Sequence, residues 1–373
     1  MSGASSDAGT ATFGQLQESY DDFFVPQFTV TVGGTEFAAT DGIITDLSVD
    51  LALDKATAFS FTLNYPYDAE NGRFEHLDWE RFSPDQSVSI KMGYGGTKKP
   101  LLHEGRITAV SPSFPSGSTP TVGVEGYGLL HTMSEPPEPP PDRDSWTHTW
   151  TETAPHEVVK EIVREREYDF RAVKTDEAGV EPAQIKQDES KHDLAFLLEL
   201  GETYAYELYA WEGDLYFRPP RYDGPADLLL EYGTSLDSFS PEVNEAGRVD
   251  RIEVRNWSAE KGEEIVGEAT RDEVAGSESE GSSGEPTTET LRLPVRDTTE
   301  ATARAEAVLA NRLDGTVSGK GECIGLPEIR PGIRMKLDGL TDQFSKVYYV
   351  ESATHRFGNS GYQTSFTVKR RGL

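Results

Sequence analysis

Seven histidines, one cysteine and 65 acidic side chains are the residues that could do chemistry in this 373-residue chain. His76, His103, His131, His148, His156, His192 and His355 are scattered. His156 and Glu157 open H-E-V-V-K, which lacks the second histidine of a zinc-protease helix. At each position a solvated or core histidine is a stronger reading than a metal ligand. Cys323 is alone, so no intramolecular disulfide can form, and in a strand-like run it reads as a small buried hydrophobe. There is no G-x-S-x-G elbow, P-loop or Cys-His pairing. Gly93-Tyr94-Gly95-Gly96 lies between strands, with no helix N-terminus to attract a phosphate, and reads as a tight turn. With so many acids, a carboxylate pair such as Glu263 and Glu264 reads as solvated surface. Tyr204, Tyr206, Tyr209, Trp211, Tyr216 and Phe217 could form a sugar platform, but the core and interface face of a hairpin is the stronger reading. The sequence therefore assigns no catalytic, cofactor-binding or metal residue.

The charge balance speaks next. The acids face 35 Lys and Arg, a formal charge of -30, and they are spread along the whole chain. Such a charge strains a compact fold at low ionic strength. In molar salt the Debye length falls to about 3 Å and the repulsion is screened. The composition thus points to a halophilic host. It disfavours direct contact with a nucleic-acid backbone, which needs a basic patch. The start has no basic and apolar leader, and no apolar run is long enough to span a bilayer, so neither a secretory signal nor a membrane segment is expected.

A chain of this length is expected to hold two or three domains. Residues 1–22 are small and polar and read as a flexible or conditionally ordered arm. Residues 23–132 read as one all-β unit. Phe28, Val30 and Val32 alternate with Thr29 and Thr31, and Gly33-Gly34 signals a hairpin. Leu47, Val49, Leu51 and Leu53 alternate with polar residues, as do Phe59, Phe61 and Leu63. A proline-rich run from Ser134 to Asp142 cannot sit inside a sheet and marks a border. Residues 133–225 read as an α/β insert. One helix is expected from Ala154 to about Glu167, capped by Thr153. A second starts at Ser190, with Asp193 as its capping-box partner and Gly201 near its end. Residues 226–373 return to strands, interrupted by a Ser/Gly/Glu-rich loop at 271–290 that reads as mobile. A helix is expected after Asp297, with Glu300 in its first turn and Gly315 at its close. The two β-rich units are alike in length and turn spacing, which suggests an imperfect duplication. The expected fold class is mainly β with an α+β insert.

Several phrases in order resemble one family. Phe28 to Gly34 matches F-x-V-x-V-x-G. Ala56 to Leu63 matches A-x-x-F-x-F-T-L. Met92 to Gly96 gives the M-G-Y-G-G turn, and Leu102 to Ile107 gives L-x-x-G-x-I. Val124 to His131 matches V-x-G-Y-x-L-x-H, with Gly128 in place of a commoner Asp. Asp193 to Leu200 fits D-L-x-F-L-x-x-L, and Leu215 to Pro220 fits the hairpin that follows it. Across residues 24–225 the chain resembles the phage tail hub, or late-control protein D, family. This family includes the hub of T-even phage baseplates and the base of VgrG spikes. The family-motif turn positions are Gly93, Tyr94, Gly95, Gly96, Gly105, Gly126 and Tyr127, all structural.

The resemblance implies two tube-like β-barrel domains and a small α/β domain per chain, in a homotrimeric ring. Two similar barrels in each of three chains make a pseudo-sixfold face. The implied role is a non-enzymatic hub that adapts a sixfold tail tube to a threefold spike. It would sit in the tail of a halophilic archaeal virus or an extracellular contractile injection particle, assembled in the host cytoplasm. The implied partners are a tail tube or tube-initiator protein, baseplate wedge proteins, a tape-measure protein and a spike. Because the chain stops at Leu373, soon after the second barrel, the spike is expected to be a separate polypeptide. Two rival functions remain open: a tail-associated hydrolase of the cell envelope, and a glycan-binding tail adhesin.

Overall fold

Alternating side chains dictate the architecture. In the computed structural model, which describes residues 10–95, 100–135, 148–176, 183–188, 191–244, 249–258, 262–275 and 287–371, most elements are strands with one buried face. A short helix, α1 (Phe13–Ser19), comes first. The first run of strands is β1 (Pro26–Val32), β2 (Thr35–Ala38), β3 (Ile44–Ala52), β4 (Ala58–Leu63), the flap β5 (Tyr67–Asp68) and β6 (Arg73–Phe74), β7 (Ser87–Tyr94), β8 (Leu101–Ser113) and β9 (Thr121–Gly128). Phe28, Val30 and Val32 are fully buried while Thr29 and Thr31 face outward, as the alternation predicts. Gly33 and Gly34 make the two-residue turn with φ of 53° and 83°, a geometry that side chains resist.

An α/β unit follows: β10 (Thr149–Thr153), α2 (Pro155–Glu165), β11 (Val173–Thr175), β12 (Ala183–Lys186), α3 (Asp193–Tyr204), β13 (Glu207–Trp211) and β14 (Asp214–Arg218). Strands then resume with β15 (Leu228–Glu231) and β16 (Ser238–Val243). Next come β17 (Arg251–Ser258), β18 (Glu263–Thr270), α4 (Arg271–Ala275), β19 (Thr288–Arg292) and α5 (Thr298–Leu313). The last run is β20 (Val317–Ile324), β21 (Arg334–Asp338), β22 (Val347–Gly358) and β23 (Gly361–Arg370).

Among the described residues, 13 strands share one sheet in the order β16-β20-β23-β22-β3-β4-β9-β8-β7-β1-β2, with β15 and β21 branching from β22. The N-terminal and C-terminal strands meet at β3 and β22, antiparallel from Leu47 opposite Phe357 to Ala52 opposite Ser352. One apolar core serves both halves: Phe28, Val49, Phe61 and Ile90 share it with Tyr348, Val350, Phe366 and Val368. Phe28 meets Phe357 edge to face, with ring centroids 4.8 Å apart. The chain is mainly β, as its sequence implies.

Three expectations need correction. The described part of the N-terminal arm, residues 10–22, is folded. Thr12 and Gln15 close a capping box on α1, and Leu16 and Tyr20 are buried. The Tyr20 hydroxyl donates to Glu328 Oε1 at 2.6 Å, and the Ala11 backbone bonds both Asp227 and Leu229 at 2.9 Å. Two apolar anchors and a backbone bridge suffice to order a polar segment. The expected loop at 271–290 begins as α4 and ends in β19, and residues 276–286 lie outside the described residues. Glu273 orders its start by accepting from the Thr270 amide at 2.8 Å. The strands β17, β18 and β19 are not part of the large sheet. They form their own sheet under α5, with a separate core of Ile252, Val254, Ala301, Ala305 and Leu309.

Two helix starts also differ. Pro155 opens α2 without a side-chain cap, so Thr153 does not cap it. His192 caps α3 by accepting from the Ala195 amide, which frees Asp193 for another task. By contrast, Asp297 caps α5 through the Glu300 amide at 2.9 Å, as expected. The two smaller units meet where α5 docks on α3: Arg304 donates to the Thr203 carbonyl at 3.0 Å and lies 4.8 Å from the Tyr204 ring.

If the arm stitches the sheet together, Leu16→Ala should lower stability by about 2–4 kcal/mol in denaturant unfolding in molar salt. An unchanged midpoint would mean that α1 only rests on the surface.

Candidate functional site

Gly105 and Gly128 close on His103, and Gly126 closes on the Phe59 ring beside it. Gly105, Gly126 and Tyr127 lie inside β8 and β9 rather than in turns, with Gly105 opposite Gly128 and Ile107 opposite Gly126. A Cβ on Gly126 would stand 2.1 Å from the Arg106 carbonyl and 2.5 Å from the Phe59 ring. On Gly105 it would stand 2.1 Å from the Tyr127 carbonyl and 2.7 Å from His103 Nε2. These positions are glycine because backbone and rings approach closely there. His103 is enclosed, with Nδ1 3.2 Å from the Thr57 hydroxyl, and burial pushes its imidazole down to about 3. It is a core histidine.

The M-G-Y-G-G phrase lies elsewhere. Gly93 and Tyr94 end β7, Gly95 turns with φ 59°, and Gly96 lies outside the described residues. Tyr94 packs on Tyr20, Phe23 and Tyr362 and so ties the arm to both halves. His355 is fully buried. Its Nε2 donates to the Ile329 carbonyl at 2.9 Å and its Nδ1 accepts from Tyr362 or Thr364. Burial pushes it down to about 4, and burial likewise pushes the Cys323 thiol up, away from nucleophilic use.

Two buried carboxylates hold joints. Asp193, at the head of α3, is fully buried and accepts from Tyr168 and from Gln187, each at 2.7 Å, and pairs with Arg166. Glu207 sits where the β13–β14 hairpin meets β22. The Tyr349 hydroxyl lies 2.7 Å from both its oxygens, and Arg218 lies 3.1 Å away and also donates to the Tyr209 hydroxyl at 2.8 Å. Leu53, Tyr209 and Tyr349 form a small apolar cluster around this joint. The aromatic hairpin thus faces the sheet, with Tyr209 stacked on Tyr216 at 4.7 Å. Asp54 extends the joint by accepting from the Leu208 amide at 2.9 Å.

The structure also gathers a ligand set that the sequence did not pair. His148, Glu161 and Glu165 place one ligand atom each within 4.8 Å of one another. The four-residue spacing of the glutamates on α2 was the available signal. One imidazole and two carboxylates suit a divalent cation such as Zn²⁺ or Mn²⁺. His148 Nε2 also stands 3.6 Å from Glu161, a contact that needs no metal. The trio therefore carries no metal assignment by itself.

Burial pushes the Glu207 carboxyl up to about 7 from 4.5, against the pull of Arg218 and Tyr349. Between those values the folded chain keeps a proton that the unfolded chain has lost. The stability that this group adds is present below about pH 4.5 and is lost as pH rises towards 7. Against Glu207→Gln, the wild type should lose on the order of 1–3 kcal/mol between these limits. A stability difference that stays flat in paired melting curves from pH 4.5 to 8 would show that Glu207 is ionised throughout.

Comparison with solved structures reveals the same fold in tail proteins. The prophage MuSo2 43 kDa tail protein from Shewanella oneidensis superposes with a TM-score of 0.70 at 13% identity, over 92% of this chain and 98% of its own. A tail protein from Neisseria meningitidis MC58 gives 0.66 at 12% identity, over 93% and 97%. A component of the E. coli type VI secretion system, itself described as similar to T4 bacteriophage tail proteins gp27 and gp5, gives 0.53 at 13% identity, over 87% and 73%. At these identities the likeness is one of fold. Comparison with curated protein sequences gives no match. Among the described residues no helix is long and apolar enough to cross a membrane. The family model for the Alg8 N-terminal domain matches residues 24–359, and the chain belongs to that family.

Proposed function

We propose that this chain is a structural, non-enzymatic hub of a phage-type tail or contractile injection particle. In this reading it acts as a homotrimer that adapts a sixfold tail tube to a threefold spike. The observation that carries the reading is the shared fold with two tail proteins over more than nine tenths of the chain. The type VI secretion component with the same fold points the same way. Two β-rich halves in each of three copies would present six units to a tube. The aromatic hairpin supports this reading over a glycan-binding adhesin, because Tyr209 and Phe217 are buried. The buried, neutral His103 and His355 and the buried Cys323 offer little to an envelope hydrolase. Tube, spike, wedge and tape-measure proteins are the proposed partners, and the virion tail or injection particle is the proposed location. The bore of the ring is expected to carry net negative charge, which would let a nucleic acid pass without adhering.

Native mass spectrometry and light scattering in molar salt should find three copies per assembly, alone or once a trimeric spike is added. A hexameric ring in the particle would overturn the stoichiometry. The charge of -30 also predicts a salt requirement. Lowering KCl from molar to about 0.1 M lengthens the Debye length to about 10 Å and should lower the melting temperature. A flat melting temperature over that range would remove the halophilic reading.

A further inference from the structure

One wall of this acidic molecule reverses its charge. A cleft of about 660 Å³ opens on the sheet where β21, β22 and β23 run side by side. Arg334, Tyr349 and Lys369 are cross-strand neighbours, and Lys336 is opposite Val347. Arg334 and Lys336 therefore share a face of β21, and Lys369 and Arg371 extend along the same face from β23. Val347, 37% exposed, lies between the two basic rows. Pro220, Tyr222, Asp223 and Gly224, with Glu273 and Val274 of α4, complete the cleft. Six bases line it against two acids, Asp223 and Glu273, whereas acids outnumber bases nearly two to one in the chain as a whole.

Part of this charge is met internally. Asp314 pairs with Lys369 at 3.0 Å and with Arg371 at 2.6 Å. Arg334 stands 3.6 Å from Asp227, and Lys336 stands 3.2 Å from Asp338. The Lys336 pair is half exposed on both sides and holds little energy of its own. Lys346 has no ion-pair partner among the described residues. Glu273 accepts from the Thr270 amide and hydroxyl and makes no ion pair with these bases among the described residues. Lys336 and Lys346 are thus the cations most open to an incoming anion.

We propose that this cleft is a docking site for a short, extended, acidic peptide segment of a partner protein. Same-face side chains on an extended chain recur every 6.4–6.8 Å or so, which matches bases two residues apart on β21 and β23. Val347 offers an apolar floor between the rows. The volume is in the range of sites that enclose a small molecule or a few residues of peptide. A nucleic acid fits less well: its phosphates continue past the cleft, along about 1.7 Å of duplex axis per charge, onto a surface rich in carboxylates. The proposal does not depend on the tail reading, since it is tested on the isolated chain.

The test is fluorescence anisotropy of a fluorescein-labelled hexaglutamate peptide with the full chain at 0.15 M and 1 M KCl. Saturable binding is expected, weakened at least tenfold by the double substitution Lys336→Glu and Lys346→Glu. Lys91→Glu, on the exposed face of β7, should leave binding unchanged. Should the glutamate double variant unfold, judged by its melting curve, Lys336→Gln with Lys346→Gln replaces it and should still weaken binding severalfold. No saturable binding at either salt, an unaltered affinity in a folded double variant, or an equal loss in Lys91→Glu would overturn the proposal. Tighter binding of a single-stranded DNA 12-mer than of the peptide would overturn it too.

Discussion

The pairing of β3 with β22 is the constraint on which the rest of the structure depends. It joins strands about 300 residues apart into a single hydrogen-bonded sheet. Without it, the backbone groups that Leu47 to Ala52 and Ser352 to Phe357 turn towards each other would lack partners. The shared core runs across that seam, with residues of both halves in one apolar cluster. The arm then becomes a necessity of closure. Tyr20, Tyr94 and Tyr362 meet where the halves face each other, and their rings fill the space between them.

Polar groups are used sparingly inside this frame, and they sit at joints. Most ion pairs lie on the surface, where each is worth little. Glu207 with Arg218, Asp193 with Arg166, and Asp314 with Lys369 and Arg371 are the enclosed exceptions. Each lies where one packing unit meets another or where a helix begins. Burial raises the proton affinity of Asp314, yet Arg371 and Lys369 hold its carboxyl below the ordinary range. A buried pair of this kind adds little net stability, because desolvation offsets most of the attraction, but removing one partner is costly. Apolar contacts give these joints area, while the carboxylates give them a single register.

Much of this fold was legible in the residues. The alternation at Phe28-Val30-Val32 and Phe59-Phe61-Leu63, the Gly33-Gly34 turn and the Asp297 cap are local signals, and local physics determined the outcome. What stayed hidden was non-local. Nothing near Leu47 announces Phe357 as its neighbour, and nothing in β17 says that its apolar face will turn to α5 instead of the large sheet. Gly105 and Gly126 looked like turn residues because glycine serves turns and close approaches alike; only the positions of Phe59 and His103 decide between them. The arm looked mobile because composition does not register two well-placed anchors, Leu16 and Tyr20. The basic cleft was invisible for a similar reason. Arg334, Lys336, Lys346 and Lys369 are ordinary singly, and their concentration appears only when three strands lie side by side.

The seam also sets an order of events during synthesis. When β3 leaves the ribosome it can pair with β4, but its other edge must wait for β22. At about 5–20 residues per second, that wait lasts about 15 to 60 s. An unpaired edge invites other chains to add to it. Here the exposed side chains along β3 include Asp46 and Asp50. Charged side chains discourage pairing with the wrong chain. Once β22 arrives, the Thr354 hydroxyl donates to Asp50 Oδ1 at 2.6 Å. A carboxylate that guards the nascent edge thus becomes part of the finished seam.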